Sequence, residues 1–225
     1  MMDSIIREDL EKIKSVVPAN FYAEKNVLVT GGAGFIGSWL CDVLIDFGAN
    51  VTVVDNFSTG RMKNIEHLAG NKKFQVVNAD VCDYSSDVKF DVIFHMAAHA
   101  SPDEYMAHPI DTLMTSAQGT QKLAELARKN DATLLFASTS ETYGDAEVIP
   151  TPETYWGKVN PIGPRSCYDE GKRFAEALLM AYSKQYGLDV RVPRIFNSYG
   201  PRSREDGLYG RALSRFVLQA LTISL

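Results

Sequence analysis

Val27-Leu28-Val29-Thr30-Gly31-Gly32-Ala33-Gly34-Phe35-Ile36-Gly37 is the stretch on which the fold turns. An uninterrupted apolar run feeds a glycine-rich turn, and a helical pattern from Phe35 to Phe47 opens directly out of it. A second run, Val51-Thr52-Val53-Val54, follows and closes on Asp55, 18 residues after Gly37. Strand, Gly-x-x-Gly-x-x-Gly turn, helix, and strand ending in an acid is the order of a βαβ unit that binds a dinucleotide. Gly31 and its neighbour permit the tight turn, Gly34 lets the backbone approach a pyrophosphate, and Gly37 lets helix and strand pack closely. The helix start at Phe35, Ile36 and Gly37 then offers free N–H groups and a positive dipole end to the phosphates.

The same alternation extends along the chain. Runs at 74–77, 92–95, 133–137 and 190–196 read as further strands, and helical spacing covers 112–129, 168–186 and 210–222. Apolar strands separated by helices predict an α/β architecture, a doubly wound parallel-sheet Rossmann fold covered on both faces. Residues 3–17 carry Ile5, Ile6, Leu10, Ile13, Val16 and Val17 at helical spacing and stop at Pro18. This predicts an amphipathic helix that packs on its own domain. The plan is therefore a lead-in over 1–24, a dinucleotide-binding domain over 25–200, and the start of a further region over 201–225.

Composition bounds the function. The 225 residues hold 23 Lys+Arg against 28 Asp+Glu, a net charge of −5, with 45% hydrophobic residues. That charge argues against a general nucleic-acid or membrane-surface binder, both of which need a basic field. A phosphate-bearing small ligand stays open, because backbone N–H groups can hold it. No apolar run approaches the roughly 18 residues that span a bilayer, and Met1 to Asp9 lacks the features of a signal peptide. The expected location is cytoplasmic. Cys41, Cys82 and Cys167 are far apart, without a Cys-x-x-Cys pair, and read as small buried or half-buried side chains. His95 and His99 follow a strand with nothing to complete a metal set, so no metal is expected.

Cofactor contacts follow from the strand ends. Asp55 would accept hydrogen bonds from the adenosine ribose and repel a 2′-phosphate, favouring NAD over NADP, with nearby Arg61 as a counter-signal. Asn56, Ser58, Thr59 and Gly60 would wrap the adenosine side, and Asp80-Val81 would face the adenine edge, unless Asp80 simply starts its loop. Ala97 and Ala98, after the fourth strand, fall on the cofactor side as well. Tyr168-Asp169-Glu170-Gly171-Lys172 sets a phenol and an ammonium four apart on one helix face. A phenol with a pKa of about 10 becomes a usable base only where cations stabilise the phenolate, which Lys172 and a nicotinamide ring would do. Thr139, in the Ser138-Thr139-Ser140-Glu141 stretch at a strand's carboxyl end, would orient a substrate hydroxyl, and Glu141 is a further acid/base candidate. Arg202 and Arg204 read either as a solvated cluster or as pyrophosphate binders.

These residues resemble the extended short-chain dehydrogenase/reductases that act on nucleotide sugars, and most closely the UDP-glucuronic acid decarboxylases, from Lys25 to about Leu221. The carrying stretches include Val54-Asp55-Asn56-Phe57-Ser58-Thr59-Gly60-Arg61, Ala100-Ser101-Pro102, Ala137-Ser138-Thr139-Ser140-Glu141-Thr142-Tyr143-Gly144, Asn160-Pro161-Ile162-Gly163-Pro164-Arg165 and Arg194-Ile195-Phe196-Asn197-Ser198-Tyr199-Gly200-Pro201-Arg202. The resemblance implies Thr139, Tyr168 and Lys172 as the hydride-transfer trio and Ser140 with Glu141 as a substrate-side pair. Tyr105, Asn197 and Arg202 would contact the sugar nucleotide. It further implies a UDP-sugar substrate, decarboxylation of UDP-glucuronate through a transient 4-keto sugar, and a homodimer built on 112–129 and 168–186. Met114 stands where these decarboxylases carry a lysine, Ser116 replaces an asparagine, and Ala98-His99 replaces Ser-Pro. Family members continue into a small C-terminal substrate domain, most of which would be absent from these 225 residues. A 4,6-dehydratase or 4-epimerase on the same scaffold, or an NAD-binding protein without turnover, are the competing readings.

Overall fold

The computed structural model describes residues 4–18, 20–204 and 212–222. In chain order the strands are β1 (Asn26–Thr30), β2 (Asn50–Asp55), β3 (Phe74–Asn78), β4 (Val92–His95), β5 (Thr133–Phe136), β6 (Ser138–Thr139), β7 (Val190–Arg191) and β8 (Arg194–Ile195). The helices are α1 (Ser4–Val16), α2 (Phe35–Asp46), α3 (Pro102–Ala107), α4 (Pro109–Met114), α5 (Thr120–Asn130), α6 (Ser166–Tyr186) and α7 (Ala212–Thr222). Six strands form one parallel sheet in the order β3-β2-β1-β4-β5-β7. The order reverses between β1 and β4, and in open sheets of this kind ligands bind in the crevice at that switch point.

Alternation along β1 explains why both faces are covered. Val27 and Val29 enter one buried cluster with Val51, Val53, Leu44 and Phe94, while Leu28 enters another with Ile93, Leu134, Phe136 and Leu179. Helix α1 docks on this body through buried Leu10 and a Lys14–Asp46 ion pair of 2.5 Å.

Two elements depart from the sequence reading. The expected strand 190–196 is two short strands: β7 extends the main sheet, and β8 pairs with β6 in a separate ladder. Pro193 separates them, because it has no N–H to give to a ladder, although its carbonyl still accepts from the Ser138 N–H at 3.0 Å. The expected helix 112–129 begins earlier, at Pro109, and contains a π-helical turn at Thr115–Gly119 between α4 and α5. At this turn the helix passes close to α6 and to Val81. A Cβ on Gly171 would lie 3.3 Å from Ser116, and one on Gly119 would lie 2.8 Å from Val81. Residues 210 and 211 of the last expected helix lie outside the described residues, and α7 follows from Ala212.

Candidate active site

Gly31 sits at φ +68°, and a Cβ there would come within 2.7 Å of the Ala97 nitrogen, so only glycine carries β1 into this turn. A Cβ on Gly37 would fall on the Gly31 carbonyl oxygen and 2.9 Å from Gly32 Cα. Gly34 caps α2 with no side-chain hydrogen bond, which leaves the N–H groups of the first turn for a ligand. The turn is thus a cradle without side chains at the start of a helix.

Asp55, at the end of β2, is buried and accepts from the Ala33 N–H at 2.9 Å and the Phe57 N–H at 2.8 Å. Burial pushes its carboxyl above the usual range, against the downward pull of those two N–H groups. Gly60 is required beside it, since a Cβ there would lie 2.8 Å from both carboxylate oxygens. Asp80 accepts from the Cys82 N–H and from Asn56 Nδ2, each at 2.8 Å, and so starts its own loop and ties it to the Asn56 loop.

A cavity of about 790 Å³ opens at the switch point. Every site residue expected from the sequence lines it, from Gly31 and Asp55 through Ala97 and Ala98 to Thr139, Glu141, Tyr168, Lys172, Asn197 and Arg202. The glycine cradle, the unsatisfied N–H groups and the acid beside them fit a dinucleotide. Among the described residues no group of three or more His, Cys, Asp or Glu is arranged to hold a metal.

Tyr168 and Lys172 occupy the first two turns of α6. Lys172 is fully enclosed; its Nζ donates to the Ala137 carbonyl at 2.8 Å and lies 4.6 Å from the Phe136 ring centre and 5.8 Å from that of Tyr168. Burial lowers its pKa to about 8. The Tyr168 ring stacks on Tyr105 at 4.9 Å, nearly parallel. Thr139 Oγ1 accepts from the Glu141 N–H at 3.2 Å. Behind it, Ser138 Oγ donates to Glu176 at 2.5 Å, and Arg194 clamps the same carboxylate at 2.7 and 3.0 Å, fixing the ladder that presents Thr139. His95, beneath the glycine turn, bonds Thr30 Oγ1 through Nδ1 at 2.8 Å. Burial first, then the nearby Lys172 charge, depress its pKa to about 3, so it is neutral.

Three residues that sequence reasoning left unassigned belong to this region. Arg165, just before α6, pairs with Glu141 at 2.5 Å. Asp169 lies beside them with Oδ1 buried and without a hydrogen-bond partner among the described residues; burial above all, with Glu141 adding and Arg165 opposing, raises its pKa to about 6. Asp42, in the middle of α2, is buried against Arg202 and His67. In sequence Asp42 and Asp169 read as ordinary helix charges and Arg165 as a loop charge, and only their position between elements distinguishes them.

The model of the family described as "NAD dependent epimerase/dehydratase family" matches residues 27–223. The chain belongs to that family. UDP-glucuronic acid decarboxylase 1 of Xenopus tropicalis is 53% identical over 207 residues, covering 91% of this chain and 48% of that protein. Among solved structures of epimerase/dehydratase-type proteins, UDP-N-acetylglucosamine 4-epimerase of Methanobrevibacter ruminantium is 32% identical with a TM-score of 0.78, covering 89% of this chain and 64% of that one. UDP-glucuronic acid 4-epimerase of Bacillus cereus, solved in complex with NAD, is 29% identical with a TM-score of 0.72, covering 88% and 63%. The chain spans about half the length of the curated relatives it matches. Among the described residues no helix is long and apolar enough to cross a membrane.

Proposed function

We propose that this chain carries the NAD site and the catalytic base of a UDP-glucuronate decarboxylase. The reading rests on one observation: Thr139, Glu141, Tyr168 and Lys172 line a single cavity together with the glycine turn and Asp55, in a chain about half identical to decarboxylases. Bound NAD would supply the hydride acceptor and donor at the sugar C4. Lys172, largely charged at neutral pH, favours the Tyr168 phenolate, which takes the C4 hydroxyl proton while Thr139 holds that hydroxyl. The C4 ketone makes the C5 carboxylate a β-keto acid, so CO₂ leaves with its bonding electrons delocalised onto the ketone. Glu141 relays a proton taken from solvent to C5, where it replaces the carboxylate, and Tyr168 returns its proton to the C4 oxygen when the ketone is reduced.

Incubation with UDP-glucuronate, UDP-glucose and dTDP-glucose, with products read by mass spectrometry, separates decarboxylase from epimerase and dehydratase. The expected result is a UDP-pentose and CO₂ from UDP-glucuronate alone, reduced about 10²–10⁴-fold by Tyr168→Phe. NAD binding without any change in the three sugar nucleotides overturns the reading in favour of a binding protein. A homodimer through α4 and α6 belongs to the same reading, supported by the exposed apolar side chains Ile110, Leu113, Met114, Phe174 and Met180 on these two helices.

A further inference from the structure

Asp42 is the one carboxylate of α2 whose side chain is wholly buried among partners from distant segments. Its Oδ2 lies 2.6 Å from Arg202 in the segment after β8, and its Oδ1 lies 2.6 Å from His67 Nε2 in a short 3₁₀ turn after β2. The Arg202 contact is close but skewed from hydrogen-bond alignment, so its attraction is Coulombic. The Arg202 guanidinium also lies 4.3 Å over the Trp39 ring, and Trp39 Nε1 donates to the Pro201 carbonyl at 3.0 Å. Arg202 itself is held at φ +69°, a conformation an arginine seldom adopts and one that its neighbours must therefore fix.

What these contacts hold is a strap over the start of α2. A Cβ on Gly200 would lie 3.6 Å from the Phe35 ring, so this backbone runs beside it, and Arg204 donates to the Thr59 carbonyl at 3.4 Å. Residues 200–204 therefore run from the helix start that would meet the phosphates to the loop that would meet the adenosine. On the other side, the His67 segment docks on the glycine turn, where Asn64 Nδ2 donates to the Ala33 carbonyl at 2.9 Å. One buried anion thus ties together both walls of the dinucleotide site.

We infer that Asp42 is a positioning residue for the dinucleotide: through Arg202 and His67 it fixes the strap and the adenosine-side segment against α2, so the pyrophosphate enters a preformed slot. Arg202 then acts on the cofactor by holding the strap. The inference rests on the NAD reading of the cavity. Its logic is that a wall ordered before binding costs the ligand nothing to order.

The chain contains two tryptophans, Trp39 and the exposed Trp156, so Trp156→Phe leaves Trp39 as the single reporter. In that background, Arg202→Gln should shift Trp39 emission to the red without NAD present, and raise the NAD Kd measured by calorimetry at least tenfold. Asp42→Asn should do the same, and the double variant no more than either alone, because both remove one interaction. Removing one partner of a buried ion pair can prevent folding, so circular dichroism accompanies each variant. Arg202→Lys, which keeps the charge, should recover part of the affinity. Unchanged Kd in folded Arg202→Gln, or additive losses in the double variant, overturns the inference while leaving NAD binding intact. A parent chain that does not bind NAD overturns the cofactor reading itself.

Discussion

Lys172→Met should leave the protein as stable as wild type or slightly more so below pH 8, and the order should turn in favour of wild type as the pH rises through 8–10.5. Lys172 is fully enclosed, and its pKa falls from 10.5 to about 8 because burial penalises the charged form. A fall of that size corresponds to about 3 kcal/mol. The sign follows from proton binding. Between pH 8 and 10.5 the unfolded chain keeps the proton that the folded chain has lost, so stability rises with pH through this window. Below pH 8 the ammonium is charged in both states and the burial penalty is present in full. Methionine fills the same space without charge, but leaves the Ala137 carbonyl without its 2.8 Å donor, a loss of about 1–3 kcal/mol. The net gain at pH 7 is therefore small, about 0–2 kcal/mol, whereas the pH dependence is not. Urea unfolding of both proteins at pH 7, 8, 9, 10 and 10.5 isolates Lys172, because every other titrating group is shared. Wild type should gain about 3 kcal/mol on the variant across that range. A difference independent of pH would refute the burial argument, and with it the account of how this lysine is kept beside Tyr168.

Arg165→Gln should cost the fold little, about 1 kcal/mol or less, because its ion pair with Glu141 is partly exposed. It should, however, move Asp169 further above its pKa of about 6, since Arg165 opposes the burial that raises it. Asp169 is a carboxyl raised on folding, so its charged form disfavours the fold as the pH climbs, and the variant should lose more stability at pH 7–8 than at pH 4–5. Carbon NMR titration of Asp169 checks the first point, and an unmoved midpoint would remove Arg165 from the cluster. Phe174→Glu on α6 places a charge among the exposed apolar side chains proposed to form the dimer face. Light scattering should show dimers for wild type and monomers for the variant, and a wild-type monomer at high micromolar concentration would end the dimer reading.

Much of the site was legible before any coordinate. The glycine turn, Asp55 and the Tyr168–Lys172 pair are local patterns: a tight turn, an acid at a strand end and a four-residue helical spacing each carry their geometry in a few consecutive residues. The same locality explains α1, α2, α6 and the first five strands, whereas the short helix α3 was not expected. Where the reading stopped short, the cause was long-range. A strand through Pro193 looked continuous because apolar periodicity does not register which ladder each half joins. The π turn at Thr115–Gly119 left no trace in an otherwise regular helical spacing.

The sequence by itself determined the βαβ unit, the glycine turn and the placement of Tyr168 and Lys172 on one helix face, since these follow from backbone freedom at glycine and from side-chain periodicity. Only the tertiary structure decided what the charges do. Asp42 and Asp169 are written like any solvated helix carboxylates, yet one is closed between Arg202 and His67 and the other beside Arg165 and Glu141. The partner of a charge can lie more than a hundred residues away, as Arg202 does from Asp42, and it arrives only once the sheet, its helices and the strap have come together.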